Sequence, residues 1–346
     1  MSTAAREILQ RLIRFDTVNP PGAERPAQEY LAGLLGGAGF ACELLGRTPE
    51  RPNLVARLEG PKEGPTLCLL SHVDTVLADP TDWTHDPWSG DQADGFIWGR
   101  GALDMKSQTA AEVAAAIGLA GDGWRPEHGA LLVVVLVDEE TGGREGAQWL
   151  CATHPAKVRC DYLVNEGGGG ILPYDGRKLY CVGCAEKGVF RFALHAEGVA
   201  AHASMPRLGD NALLKLAPLL ERLAAAGQPG YDLTAEPRAF LRAIGELGED
   251  DDAAAALERV RAREPRLVPL LEPMLGVSLA PTRIYASEKI NVIPAAARLA
   301  IDCRVPPGLG EREALRRIRE VIGEPDGIRL EWTEQVSGNR SPLTSP

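Results

Sequence analysis

Residues 131–137 read Leu-Leu-Val-Val-Val-Leu-Val and run directly into Asp138-Glu139-Glu140-Thr141-Gly142-Gly143. A half-exposed strand would alternate apolar with polar side chains, and this run does not alternate. It is expected to be a central strand covered on both faces by helices, as in the layered α/β folds. Ligands of such sheets bind at the carboxyl ends of the strands. Two glutamates followed by glycines stand at that end here.

Working outward, helices are expected at about 4–14, 27–39, 106–120 and 145–153, and strands at 41–46, 52–59, 67–72 and 161–165. This order implies an α/β domain of three layers with a mostly parallel sheet. After about Lys187 the pattern changes. The stretch 188–198 alternates as a strand should, 210–227 is helical, and 236–275 is a helical segment rich in Ala, Glu and Arg. Strands at 282–290 and 297–305, a helix at 311–322 and a strand at 328–333 complete the order β-α-β-β-α-β, a split βαβ (ferredoxin-like α+β) unit with a helical insertion. At 346 residues the chain exceeds what one core usually supports. The expected division is a first domain over 1–186, an inserted domain over 187–335, and a return into the first over 336–346.

The bulk composition excludes some functions. A formal net charge of -11 argues against nucleic acid, whose binding rests on Lys and Arg. No run of 18 apolar residues predicts a membrane helix, and the N-terminal stretch has no signal-peptide core. Seven scattered cysteines suit a reducing, cytoplasmic setting. Cys181 and Cys184 form a lone CxxC, read as small residues in a strand rather than a redox or zinc pair.

Four motifs carry chemistry. Ser-His-Val-Asp-Thr-Val (71–76) sets His72 and Asp74 two apart at a strand end, where a carboxylate can fix the tautomer of a metal-binding imidazole. Alone, the pair reads equally as a core histidine with a solvated aspartate. The turn at 99–106 delivers Asp104 just before a helix; its carboxylate can bridge two cations or serve as an N-cap. Glu139 and Glu140 are adjacent, so one can hold metal while the other faces water; the plain alternative is an acidic surface loop. Glu166 ends the strand at 161–165 and precedes four glycines, without the GxGxxG-to-helix context of a phosphate cradle. So many carboxylates in one pocket would repel one another unless cations neutralised them. Together the motifs point to a two-metal hydrolytic site.

These motifs, with Gly-Val-Ala-Ala-His-Ala-Ser-Met-Pro (198–206), the stretch 289–308 and the opening Phe-Asp-Thr-Val-Asn-Pro-Pro-Gly (15–22), resemble the dizinc aminoacylase and carboxypeptidase family of metallopeptidases. That family includes acetylornithine deacetylase, succinyl-diaminopimelate desuccinylase and the glutamate carboxypeptidases. The resemblance implies a zinc-exopeptidase-like catalytic domain with an inserted lid and dimerisation domain. It implies two Zn2+, with Co2+ or Mn2+ as alternatives that the same ligands suit. Asp104 would bridge the ions, His72 and Glu166 would complete one, and Glu140 would bind the other. Glu139 would be the general base and Asp74 would orient His72. His202 would reach a partner subunit's site and stabilise an oxyanion, while Asn291 and Arg304 would contact substrate. A cis peptide is expected at Asp104–Met105, and Ser107 stands where many members have glycine. The implied reaction is hydrolysis of an amide in an N-acyl amino acid or small peptide with a free carboxylate, by a homodimer. His85, His128, His154 and His195 match nothing catalytic.

The family's last metal ligand is a C-terminal histidine, and no histidine follows His202 in this chain. A missing C-terminal piece is therefore expected. The rival expectation is a single-metal or non-catalytic truncated relative.

Overall fold

The computed structural model describes residues 3–167 and 169–345, and the chain divides into two compact units at Gly167. The first holds, in order, α1 (Thr3–Ile13), α2 (Arg25–Gly37), β1 (Ala41–Leu45), β2 (Asn53–Glu59), β3 (Thr66–His72), the short hairpin β4 (Gln92–Ala93) and β5 (Phe96–Ile97), α3 (Lys106–Gly121), β6 (Ala130–Leu136), α4 (Ala147–Thr153), α5 (Pro155–Val158) and β7 (Tyr162–Val164).

The five-stranded sheet runs β1-β2-β6-β3-β7. Strand β6 is buried along its whole length, and its pleat sends side chains alternately to two cores. Leu131, Val133 and Val135 join Leu9, Leu12, Leu31, Leu35, Val113 and Ala116 under α1, α2 and α3. Leu132, Val134 and Leu136 join Val55, Cys68 and Leu150 on the opposite face, under α4 and α5. This explains the unbroken apolar run: no residue of β6 has a wet side to which a polar chain could point. The sheet is mixed: β3 pairs with β6 and β7 in parallel, while β2 pairs with β1 and β6 antiparallel. The connection from β1 to β2 is too short for the crossover that parallel neighbours require. Leu132 is fully buried, so Leu132→Ala is expected to cost about 2–5 kcal/mol in denaturant unfolding. A loss under about 1 kcal/mol would contradict its place in this core.

Strand β7 is different. Among the described residues it bonds only to β3, over three residues, and Tyr162, Leu163 and Val164 are all exposed.

The second unit contains β8 (Ile171–Tyr174), β9 (Arg177–Tyr180), β10 (Ala185–Glu186), β11 (Gly188–Val189), β12 (Phe192–Glu197), β13 (Ala201–His202), α6 (Ala212–Ala226), α7 (Ala235–Ala243), α8 (Ala253–Arg263), α9 (Val268–Leu271), β14 (Ser278–Tyr285), β15 (Val292–Ile293), β16 (Ala296–Val305), α10 (Glu311–Ile322), β17 (Ile328–Trp332) and β18 (Asn339–Arg340). Strand β12 lies between β16 and β17, β14 pairs with β16, and every pairing is antiparallel. The order β17-β12-β16-β14 with α6 and α10 as crossovers is the ferredoxin-like arrangement. Phe192, Leu194, Leu299 and Ile301 pack against Leu216, Leu219 and Ile318 of those helices.

Besides the mixed sheet, where a mostly parallel one is expected, three details differ from the sequence-based expectation. Residues 169–186 group with the second unit, because Leu172, Tyr174 and Leu179 of the β8–β9 hairpin pack on a separate core with Leu241, Leu257 and Val260. The segment from 336 pairs through β18 with β10 in the same unit. Strand β14 begins at Ser278, four residues before the expected start, where Pro281 and a register shift interrupt the alternation on an edge strand. Among the described residues, no helix is long and apolar enough to cross a membrane.

Candidate metal centre

His72 is the last residue of β3, delivered to the carboxyl end of the sheet with 1% of its surface exposed. Its Nδ1 lies 3.1 Å from the Asp74 carbonyl oxygen and 3.3 Å from Asp74 Oδ1, which turns Nε2 the other way. That Nε2 is buried without a hydrogen-bond partner. Around it stand Asp104 Oδ1 at 3.4 Å, Glu166 Oε2 at 3.6 Å and Glu139 Oε2 at 3.7 Å. These separations are too long for hydrogen bonds and suit donors that share a cation. Among the described residues, two donor groups close within 4.8 Å: His72 with Asp104 and Glu140, and His72 with Glu139 and Glu166.

Each carboxylate arrives by a local device. Past β6, Asp138 takes a left-handed conformation (φ 68°) and residues Glu139–Thr141 form one 3-10 turn. Gly142 (φ 106°) and Gly143 (φ 69°) close it, with Gly143 N donating to the Asp138 carbonyl at 2.6 Å. Those angles are why glycines follow the acidic pair. Asp104 precedes α3, and its peptide bond to Met105 is cis. Beneath it Lys106 is fully buried, its Nζ donating to the carbonyls of Leu12 (3.0 Å) and Phe15 (3.2 Å). Glu166 follows β7 directly.

The carboxylates of the cluster oppose one another. Burial pushes the Glu166 carboxyl up, the Asp104 charge adds to it, and it reaches about 7; the same two causes raise Glu140. Burial pulls the His72 imidazole down, but the hydrogen bond and charge of Asp74, then the charges of Glu139 and Glu166, carry it up to about 9. A cation requires neutral imidazole and ionised carboxylates. Apparent Zn2+ affinity should therefore climb about tenfold per unit between pH 7 and pH 9, with proton release, and level off above. Titrations showing no change across that interval would contradict the arrangement.

Asp74 is fully buried and accepts from the backbone N–H groups of Glu139 and Glu140, both at 3.1 Å, and from Asn19 Nδ2 at 2.9 Å. Burial raises its pKa, while the bonds from His72 and Asn19 outweigh that and hold it low. Reasoning from the sequence placed Asp74 beside His72 but missed this second contact with the turn of Glu139 and Glu140.

In the second unit, β13 and β15 pair His202 with Val292, and Ala203 N donates to the Asn291 carbonyl at 3.0 Å. His202 and Asn291 thus stand beside one another across this two-stranded ladder, with His202 exposed and its Nδ1 2.8 Å from Ser204 Oγ. Arg304 lies at the far end of β16, and its guanidinium donates to Asp302 through Nε (2.7 Å) and Nη2 (3.2 Å). All seven cysteines are free, Cys181 and Cys184 included.

Fold and donor cluster together define a two-unit α/β protein with a carboxylate–imidazole centre at a sheet's carboxyl edge. Residues 68–333 match the model described as Peptidase family M20/M25/M40, and the chain belongs to that family. The succinyl-diaminopimelate desuccinylase of Paracoccus denitrificans is 36% identical over 225 residues, 64% of this chain and 56% of that protein. The chain thus spans little more than half the length of that curated relative. Among solved structures, human carnosine dipeptidase 1 superposes with a TM-score of 0.66 at 17% identity, over 99% of this chain and 79% of that one. A Bacillus subtilis protein described as a dinuclear metal binding peptidase of the M20 family gives 0.56 at 14%, over 99% and 76%. At such identities the likeness is one of fold.

Proposed function

We propose that the protein hydrolyses an amide bond in an N-acyl amino acid or small peptide carrying a free carboxylate, using two divalent cations, Zn2+ first among them. The observation that carries this reading is the buried, unpartnered His72 Nε2 ringed by three carboxylates at 3.4–3.7 Å. His72, Asp104, Glu140 and Glu166 would hold the ions, with Asp104 between them. Bound cations supply Lewis acidity toward the amide carbonyl and toward water. Glu139, its side chain 52% exposed beside His72, takes a proton from the attacking water and returns it to the leaving amine. Asp74 holds His72 in the tautomer that leaves Nε2 free.

His202 stabilises the oxyanion, and Asn291 and Arg304 hold the substrate, Arg304 through the N–H groups that Asp302 leaves open. Strand β16 spans about 26 Å from Ala296 to Arg304 at about 3.3 Å per residue. Such a length suits a homodimer built through the second unit, in which Arg304 of one chain and the His202–Asn291 pair of the other would hold one small substrate. Free cysteines throughout are in keeping with a cytoplasmic location.

A panel of acetyl-, succinyl- and aminoacyl-amino acids, assayed with and without added Zn2+, tests the proposal. Zn2+-dependent release of the free amino acid is expected from at least one class. One equivalent of metal or none, with no turnover, would instead favour a single-metal or non-catalytic protein.

A further inference from the structure

The opening segment 15–22 runs beside the candidate centre. Thr75 N donates to the Thr17 carbonyl at 3.0 Å, Asn19 N donates to the Thr75 carbonyl at 2.9 Å, and Thr17 Oγ1 donates to the Val73 carbonyl at 2.6 Å. This short parallel pairing extends the strand that ends at His72. It sets the Asn19 side chain, 5% exposed, between two buried carboxylates.

Asn19 Nδ2 donates to Asp74 Oδ2 (2.9 Å), Asp138 Oδ1 (3.2 Å) and Thr141 Oγ1 (3.1 Å). Asp74 belongs to the His72 loop, whereas Asp138 and Thr141 bracket Glu139 and Glu140. Asp138 is held from its other sides by Thr141 Oγ1 at 2.6 Å, Glu145 N at 3.1 Å and Arg51 Nη1 at 3.3 Å. Arg51 also forks onto the fully buried Glu24, at 2.6 Å from Nη2 and 3.0 Å from Nε. Two buried carboxylates, Asp138 and Glu24, thus share Arg51, while the Asn19 amide links Asp138 to Asp74. Gly22 makes the arrangement possible. It sits at φ +79°, and a Cβ there would lie 2.4 Å from the Arg51 guanidinium carbon.

We propose that Asn19 is a positioning residue: its amide ties the His72–Asp74 loop to the turn of Glu139 and Glu140, with Arg51, admitted over Gly22, balancing the buried charge behind it. The Asn19 amide bonds to Asp74, Asp138 and Thr141. It acts through Asp74 and Asp138, so its loss disturbs the relative placement of metal ligands and base rather than removing a ligand. The inference rests on the reading of the His72 cluster as a metal centre.

Asn19→Asp keeps the shape, removes both donors and adds a further negative charge beside Asp74 and Asp138. Asn19→Ala removes the donors alone. Co2+ titration followed by its visible absorption reports on the ligand field, which a merely structural role would not move. In Asn19→Asp the Co2+ affinity should fall about 10–100-fold with an altered spectrum, and kcat should fall about 100-fold with KM nearly unchanged. In Asn19→Ala the same changes should appear at about tenfold. If Asn19→Asp does not fold, Asn19→Ala decides alone. Co2+ affinity within about threefold of wild type and an unaltered spectrum, whatever the thermal stability, would overturn the inference. Wild-type protein that takes up no Co2+ overturns the metal reading and this inference together. Wild-type protein that binds Co2+ without hydrolysing any substrate removes only the proposed activity, and the spectrum then still judges Asn19.

Discussion

Glu139→Ala should lower kcat by about 10²–10⁴-fold while both metal ions stay bound. The geometry makes this experiment decisive, because Glu139 has two available roles. Its Oε2 lies 3.7 Å from His72 Nε2, and it closes a donor group with His72 and Glu166. A general base removed from an intact centre lowers turnover and leaves metal content alone. A ligand removed lowers both. Glu139 and Glu140 follow one another in a 3-10 turn, so their side chains diverge and need not share one task. Full metal occupancy with turnover lost supports the base. An alanine variant that loses a metal equivalent would make Glu139 a ligand, and one that turns over normally would remove it from the chemistry.

The second large effect is expected at Asp104. Asp104 closes one donor group with His72 and Glu140, and after burial its charge is the next cause raising Glu166 of the other group. A carboxylate with two oxygens can serve two cations about 3.5–4 Å apart. Asp104→Ala should then release both ions, abolish turnover, and leave Glu140 and Glu166 less strongly raised. Metal analysis after dialysis measures this directly. Retention of one full equivalent would confine Asp104 to a single ion and end the bridging assignment.

The sequence exposed those parts of the molecule where one local pattern decides the outcome. Strand β6 was readable because burial on both faces leaves no alternation, and α10 was readable because its apolar positions recur with the helical period. The five acidic residues stood out because each terminates or follows an apolar run. The β8–β9 hairpin was missed although its turn, Asp175-Gly176, carries both residues at positive φ (48° and 71°); that pair is a strong hairpin signal. Antiparallel pairing of β1 and β2 was equally available from their short connection. Asn19 and Arg51 are another matter. Neither lies in a periodic segment, and each matters only because loops distant in sequence meet around Asp138. No spacing rule records such a meeting.

Strand β7 carries one of the four proposed metal ligands, and it is the least supported strand of its sheet. A parallel strand bonded along one edge, with three apolar side chains facing solvent, invites another strand to lie alongside it. Anything that occupied that vacant border would stiffen the chain just ahead of Glu166. Of the four proposed ligands, Glu166 is thus the one whose placement depends most on what lies outside the centre.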